Sequence, residues 1–351
     1  MRVAVVASPV TPLRAAQVGG AQAFICDLAR GLSERGHEVT LHCAEGSEVE
    51  GVRLMTVPIP RDAASALVMP GGAEPPQAPG LDAAIKSMLD RVRGLEVDAV
   101  SQHAFDAAAV EHATGLPVLH TLHLPPIVAS VVAAASRVPA ERLATVSTSC
   151  LGEWGRAGIE VGVLLPNGVP DVAVAGRAQG ALQIHEAPHR AVLIAGRISP
   201  EKGIEHAVAA ARAAGLAVRL AGAHYDPAYE ADLAGVEMLG SLARDQLRHV
   251  MAASAVTVCA VRWEEPFGMV AAEAQMAGCP VAGYRRGALP EVVEEGVSGF
   301  LAAPDDIAEL AGAIRRCLDL DRGQVRASAV RRLGLDAALD RYELALQKVA
   351  G

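Results

Sequence analysis

At 351 residues the chain is about twice the usual domain length, which predicts two domains, and its 51% hydrophobic residues are enough for two cores. Aromatics are only 3%, so those cores are built from Ala, Val and Leu, and extensive base- or sugar-stacking surfaces are disfavoured. The net charge of −9 divides evenly: residues 1–170 hold 12 Lys and Arg against 17 Asp and Glu (−5), and residues 171–351 hold 19 against 23 (−4), so neither half has the basic surface of a nucleic-acid binder or of a domain that clasps anionic lipid.

The first run, Val3–Val6, reads as a buried strand, with no hydrophobic signal region before it. A Gly-rich loop, Val18-Gly19-Gly20-Ala21-Gln22, leads into a helix over Ala21–Arg35; it is not a GxGxxG loop. Strands follow at Glu38–Leu41, Asp98–Ser101, Pro117–His120 and Leu143–Val146, with helices at Leu81–Gly94 and Phe105–Ala113. The irregular Pro- and Gly-rich stretch from Pro58 to Gly80 fits a functional loop. The longest apolar stretch, Leu124 to Ala135, is too short to span a bilayer, so a soluble cytoplasmic protein is expected. None of the six cysteines (Cys26, Cys43, Cys150, Cys259, Cys279 and Cys317) forms a CxxC pair, and most sit in apolar runs as reduced core thiols do.

Turn chemistry at Pro166-Asn167-Gly168-Val169-Pro170 marks the domain junction, and weak periodicity continues to His189. Strands are then expected at Ala191–Ala195, Ala217–Ala221, Ala255–Cys259 and Pro280–Ala282, and helices at Gly203–Ala214, Asp245–Ala253, Phe267–Ala277 and Asp305–Leu318. Apolar strands alternating with helices predict two doubly wound parallel sheets. A last helix, Leu335–Val349, has no strand after it. The expected organisation is an N-terminal Rossmann-like domain over 1–168, a C-terminal one over 169–334, and a helix over 335–351 packing back toward the first.

Two segments carry the chemistry. In Ala195-Gly196-Arg197-Ile198-Ser199-Pro200-Glu201-Lys202-Gly203 a buried strand ends, the chain turns and a helix begins. Arg197 and Lys202 beside free helix N–H groups would make a diphosphate site, although a solvated Arg/Lys turn reads the same. In Glu265-Pro266-Phe267-Gly268-Met269-Val270-Ala271-Ala272-Glu273, Pro266 fits a first helical position and Gly268 allows close approach of a ligand. Glu265 falls at the helix mouth, and Glu273 lies two turns in, within an apolar helix where an ionised group needs a partner; ribose or sugar hydroxyls would supply one.

These residues resemble the retaining glycosyltransferases of family 4, of GT-B fold: two Rossmann-like domains facing a central cleft. The marks are Gly19-Gly20, the Pro166-Asn167-Gly168-Val169 junction, Gly196-Arg197 with Lys202-Gly203, and the Glu-x7-Glu block from Glu265 to Glu273, continued by Ala274-Gln275-Met276-Ala277-Gly278-Cys279-Pro280-Val281. The phrase Leu220-Ala221-Gly222-Ala223-His224-Tyr225-Asp226-Pro227 is similar to single-chain actinomycete enzymes of antibiotic assembly. The resemblance implies that Arg197 and Lys202 bind the diphosphate, and that Gly19 and Gly20 serve the same phosphates when the domains close. It further implies that Glu265 and the backbone of Phe267, Gly268, Met269 and Val270 meet the donor sugar, that Glu273 holds the ribose, and that Leu242 meets the base through its main chain. The family His near an N-domain strand end has two candidates in Leu119-His120-Thr121-Leu122-His123; His123, followed by a loop, fits the catalytic place, and His120 fits a structural one. His103 lines the acceptor side or is a hydrogen-bonded loop residue.

The departure is Val261-Arg262-Trp263-Glu264, where the family often has Pro-Ser; Trp263 either walls the sugar pocket or packs. Asp305-Asp306 after Pro304 fits a helix start rather than a metal site, so no metal or other cofactor is expected. The implied reaction is metal-independent, same-face transfer from a nucleoside-diphosphate sugar, UDP favoured over GDP, to a hydroxyl of a small-molecule acceptor, with no nucleic acid and no membrane span. A nucleotide-sugar 2-epimerase of the same fold and a non-catalytic nucleotide-sugar binder are the rival readings.

Overall fold

The computed structural model describes residues 1–14, 19–66, 75–171, 189–225 and 229–351. Val18 of the Gly-rich loop, residues 67–74 of the Pro58–Gly80 stretch, residues 172–188 after the junction and Asp226-Pro227 lie outside the described residues. The chain divides into two compact units. One comprises Met1–Ala15, Ala21–Asn167 and Asp336–Gly351; the other comprises Ala16–Gly20 and Gly168–Leu335.

The first unit runs β1 (Arg2–Val6), α1 (Gly20–Glu34), β2 (Glu38–Ala44), β3 (Arg53–Val57), α2 (Pro79–Arg93), β4 (Ala99–Gln102), α3 (Ala107–Glu111), β5 (Val118–Leu122), α4 (Ala129–Ala135), β6 (Leu143–Thr145), α5 (Thr148–Arg156) and β7 (Val163–Leu164). Its seven strands order as β3-β2-β1-β4-β5-β6-β7 and all pair in parallel, Val5 opposite Leu41 on one side and Ser101 on the other. Strands such as Val3–Val6 are apolar throughout because helices cover both faces. Ala4, Val6, Val100 and Val118 pack on Ile85, Met88 and Leu89 of α2, while Trp154 of α5 closes a second cluster with Leu122, Leu143 and Val131.

The second unit runs β8 (His189–Ala195), α6 (Ile204–Ala213), β9 (Ala217–Ala221), β10 (Glu237–Gly240), α7 (Arg244–Ala253), β11 (Ser254–Cys259), α8 (Met269–Met276), β12 (Val281–Tyr284), α9 (Leu289–Val292), β13 (Gly299–Ala302), α10 (Ile307–Cys317) and α11 (Arg322–Leu333). Its six parallel strands order as β10-β9-β8-β11-β12-β13. Val192, Ile194, Val256, Val258 and Ala282 meet Ile204, Val208, Leu310 and Ile314 in one core. The last helix, α12 (Leu335–Ala350), belongs almost wholly to the first unit. It lies on α1 so closely that a Cβ at Gly31 would stand 2.6 Å from Leu339. The Tyr342 ring packs tilted against Phe24, 5.6 Å between centres, and Arg35 binds Asp336, Asp340 and Glu343.

Both sheets reverse direction once in their strand order, between β1 and β4 in the first unit and between β8 and β11 in the second. At such a point successive connections leave to opposite faces and open a crevice at the carboxyl ends of the strands, where ligands of open α/β sheets bind.

Candidate functional site

In the second unit, two loops meet at the β8/β11 crevice. The β8 loop passes Gly196 and Arg197, makes a 3-10 turn at Pro200–Lys202, and enters α6 through Gly203. Gly203 has φ 61°, and a Cβ there would sit 1.9 Å from the Ala260 carbonyl oxygen, so the β8 and β11 loops pack at a distance only glycine permits. Arg197 is held twice: by Glu201 at 3.3 Å and by the Tyr225 ring at 4.6 Å. Glu201, buried, also accepts from the Ser199 hydroxyl at 2.7 Å. The guanidinium is thereby pre-oriented.

The β11 loop carries Trp263 and Glu265. Lys202 Nζ lies 2.8 Å from Glu265 Oε2 and bridges the crevice, and the Trp263 indole N–H donates to the same oxygen at 2.8 Å. The ammonium stands 5.4 Å from the Trp263 ring centre. Trp263 thus positions Glu265, a role the sequence left open between walling a pocket and packing. Both contacts fall on Oε2 of Glu265. Gly287 supports the backbone beneath: its φ is 58°, a Cβ would lie 2.3 Å from the Glu265 nitrogen, and Ala288 N–H donates to the Glu265 carbonyl at 2.9 Å. Sequence reasoning missed Gly287 because nothing near it in the chain names its partner.

Two expectations are corrected. The helix after Glu265 starts at Met269, not Phe267; Gly268, at φ 93°, is its N-cap, so Pro266 and Phe267 lie in the preceding loop. Glu273 is buried as the apolar helix implied, but its partner is protein: Arg244 Nε, from the start of α7, binds its Oε1 at 2.7 Å. Its burial therefore does not by itself demand a ribose. Neither α6 nor α8 has a side-chain cap, so both present unsatisfied backbone N–H groups and the positive end of the helix dipole beside Arg197 and Lys202. Phe267 is buried, Val270 lies in the first turn of α8, and Leu242 follows β10 at the carboxyl end of the same sheet. Asp306 caps α10 by accepting from Glu309 N–H at 2.8 Å, and Asp305 binds Arg286 and Arg262. Among the described residues no group of three or more His, Cys, Asp or Glu is arranged to hold a metal ion.

In the first unit, the crevice between β1 and β4 holds Ser8 and Asp106, whose side chains meet at 2.9 Å; burial pushes the Asp106 carboxyl up from its usual value. Neither residue stood out in the sequence. His103 follows β4, His123 follows β5, and their rings bond directly, Nδ1 of His103 to Nε2 of His123 at 2.8 Å. Ser101 Oγ bonds His103 Nε2 at 2.8 Å. Burial lowers both imidazoles, His123 to about 4, and so keeps them neutral. His120 points elsewhere in the sheet and bonds Gln102 Oε1 at 3.1 Å. Gly19 and Gly20 lead into α1, with Gly20 its first residue.

The apolar Pro125–Ala135 segment splits its duties. Val128, Val131, Ala134 and Ala135 are buried, whereas Pro126, Ile127, Val132 and Ala133 line, with Ile159, a shallow recess of about 660 Å³. No helix of the described residues is long and apolar enough to cross a membrane.

Residues 18–173 match the family Glycosyltransferase Family 4, and residues 183–332 match Glycosyl transferases group 1. The chain is 34% identical over 175 residues to a D-inositol 3-phosphate glycosyltransferase of Mycolicibacterium smegmatis, covering 45% of this chain and 40% of that protein. It is 30% identical over 161 residues to a glycogen synthase of Mycobacterium tuberculosis, covering 42% and 39%. The matched part thus spans about two fifths of the length of these relatives. Among solved structures, AviGT4, a glycosyltransferase involved in avilamycin A biosynthesis, superposes with a TM-score of 0.72 at 23% identity over 100% of this chain and 99% of that one. Anabaena HepE in complex with UDP-glucose superposes with a TM-score of 0.73 at 18% identity over 99% and 100%.

Proposed function

The chain belongs to the GT-B glycosyltransferases, and from that premise we infer that it transfers a sugar from a nucleoside-diphosphate donor, UDP favoured over GDP, to a hydroxyl of a small-molecule acceptor. The observation that carries the donor half is the Lys202–Glu265 bridge at 2.8 Å across the crevice, between the uncapped starts of α6 and α8. A diphosphate takes Lys202, Arg197 and the helix N–H groups as its ligands, and Lys202 turning to phosphate releases Glu265 for the sugar hydroxyls. Negative charge that grows on the leaving phosphate is met by these fixed cations and dipoles, which is the main electrostatic demand of the reaction. Phe267, Gly268, Met269 and Val270 bring backbone to the sugar and phosphates, Leu242 meets the base, and the Arg244–Glu273 pair serves the ribose. UDP is favoured because HepE was crystallised with UDP-glucose on the same fold.

Transfer proceeds on one face without a metal. The bond from the anomeric carbon to the phosphate oxygen breaks, the bond to the acceptor oxygen forms on the same face, and the acceptor proton passes to the departing phosphate. Within the first unit, Ser8, Asp106, His103 and His123 at the strand ends and the apolar recess at Ile127 and Val132 bind the acceptor.

A thermal-shift panel of UDP, GDP, ADP and their glucose conjugates tests the donor. UDP ligands should raise the melting temperature, and Arg197→Ala should abolish the rise. Glu265→Ala should remove sugar transfer while UDP binding survives; unchanged turnover in that variant refutes the assignment. An inverted anomeric centre in the product refutes same-face transfer, and an epimerised donor formed without acceptor assigns an isomerase instead.

A further inference from the structure

At the carboxyl ends of β4 and β5, three buried side chains form a chain of hydrogen bonds: Ser101 Oγ to His103 Nε2, and His103 Nδ1 to His123 Nε2, each at 2.8 Å. Ser101 is fully buried, and His103 and His123 are 4% and 5% exposed. The chain ends on His123 Nδ1, which is buried and has no hydrogen-bond partner. The two rings cannot swing freely. Phe24 stands edge-on to His123 at 6.3 Å, and Tyr342 of α12 lies 5.9 Å from His103.

Neutral imidazole carries one proton, and the bond made by one nitrogen decides the state of the other. Only two proton arrangements satisfy both contacts. In the first, the Ser101 hydroxyl donates to Nε2 of His103, His103 donates through Nδ1–H to Nε2 of His123, and His123 is left with Nδ1–H. In the second, every proton runs the other way: His123 donates through Nε2–H, His103 donates to Ser101, and the Ser101 hydroxyl proton needs an acceptor of its own. Among the described residues Ser101 Oγ bonds His103 alone. The reversed arrangement therefore leaves two buried groups unmade, the hydroxyl proton and the bare Nδ1, while the forward one leaves only the His123 Nδ1–H. Buried polar groups without partners are expensive, so the forward arrangement wins.

We propose that Ser101 and His103 are positioning residues that lock His123 as its Nδ1–H tautomer, making it a fixed hydrogen-bond donor toward an oxygen of the ligand held at the end of the first unit's sheet. A locked neutral donor has no lone pair to offer at that nitrogen, so His123 does not deprotonate the acceptor hydroxyl; the proton has to leave by another route. The ligand's identity rests on the transfer reading above, but the tautomer does not.

The test is nitrogen-15 NMR of the whole chain labelled at histidine, with no donor or acceptor present. The His123 signals are identified by their loss in His123→Gln. His123 should show a proton coupled to Nδ1 and a bare, hydrogen-bonded Nε2, and His103 should show the same pattern, both unchanged from pH 8 to pH 6. A proton on His123 Nε2 overturns the proposal. Ser101→Ala, which removes the first donor, should move the His123 nitrogens toward a tautomer mixture, and Ser101→Thr should restore the lock; unchanged nitrogens in Ser101→Ala refute the part given to Ser101. Because this readout needs no turnover, its failure is distinct from failure of the transfer reading, which the donor panel decides.

Discussion

Lowering the pH should unfold the first unit before ordinary carboxylates titrate. His42, His120 and His123 are 0%, 2% and 5% exposed, and burial brings each imidazole from 6.5 to about 4, aided at His42 by Arg91 and at His120 by Arg142. Their folded values lie below their unfolded ones, so the stability they allow is complete above pH 6.5 and is lost as pH falls toward about 4, the interval in which only the unfolded chain binds their protons. One proton taken up on unfolding changes stability by about 1.4 kcal/mol per pH unit, so three give a slope of about 4 kcal/mol per pH unit in the middle of that interval. Two pH units remove at most about 8 kcal/mol, enough to unfold a unit in the lower half of the typical range of about 5–15 kcal/mol. The assay is urea unfolding at intervals from pH 7.5 to pH 4.5, followed by tryptophan fluorescence in Trp263→Phe, where Trp154 of the first unit is the one indole left. A midpoint that stays flat between pH 6.5 and pH 5, or histidines that titrate near 6.5 in the folded protein, would refute the reasoning. The surface carboxylates held low by arginine, such as Glu295 beside Arg285 and Asp305 beside Arg286, act in a separate interval below their usual values.

Other outcomes follow from single contacts. Gly203→Ala should lower the melting temperature and weaken UDP binding together, because the new Cβ would displace the Ala260 carbonyl from 1.9 Å; a thermal-shift titration reads both. Trp263→Phe removes the indole N–H from Glu265 Oε2 and keeps the ring beside Lys202; turnover should fall roughly tenfold, the size of one lost hydrogen bond to a charged group, with UDP affinity nearly unchanged by calorimetry. Arg244→Ala leaves Glu273 buried without its ion-pair partner and should destabilise the second unit by about 3 kcal/mol in denaturant titration. Asp106→Asn should leave UDP binding untouched and reduce transfer, read by product formation; loss of UDP binding would remove Asp106 from the acceptor side.

The doubly wound architecture was legible because buried parallel strands are apolar on both faces, and Val3–Val6 and Ala191–Ala195 show it plainly. Edge strands escaped: β3 and β10 are short and half exposed, so their polar positions broke the pattern. Helix α5 was missed although Ser147 caps it, accepting from Cys150 N–H at 3.0 Å, since Gly152 and Gly155 interrupt its periodicity. At the candidate site the residue types were legible, as Arg197, Lys202 and Glu265 stand in adjoining loops. Pairings were not: Lys202 and Glu265 are far apart in sequence, as are Arg244 with Glu273 and His103 with His123, and only the folded sheet brings them together. The ion pair of Glu273 escaped for that reason. Burial of the charge was legible from its apolar neighbours, whereas its ion-pair partner on the preceding helix was not.

Helix α12 returns to the first unit after the whole second unit has been written, so the second unit is in effect an insertion within the first. During vectorial synthesis the second unit can complete its sheet while the first still lacks the helix that covers Gly31 and Phe24. Tyr342, which lies against the His103 ring, leaves the ribosome only after the whole second unit. The second unit can therefore fold before the histidine pair of the first unit is seated.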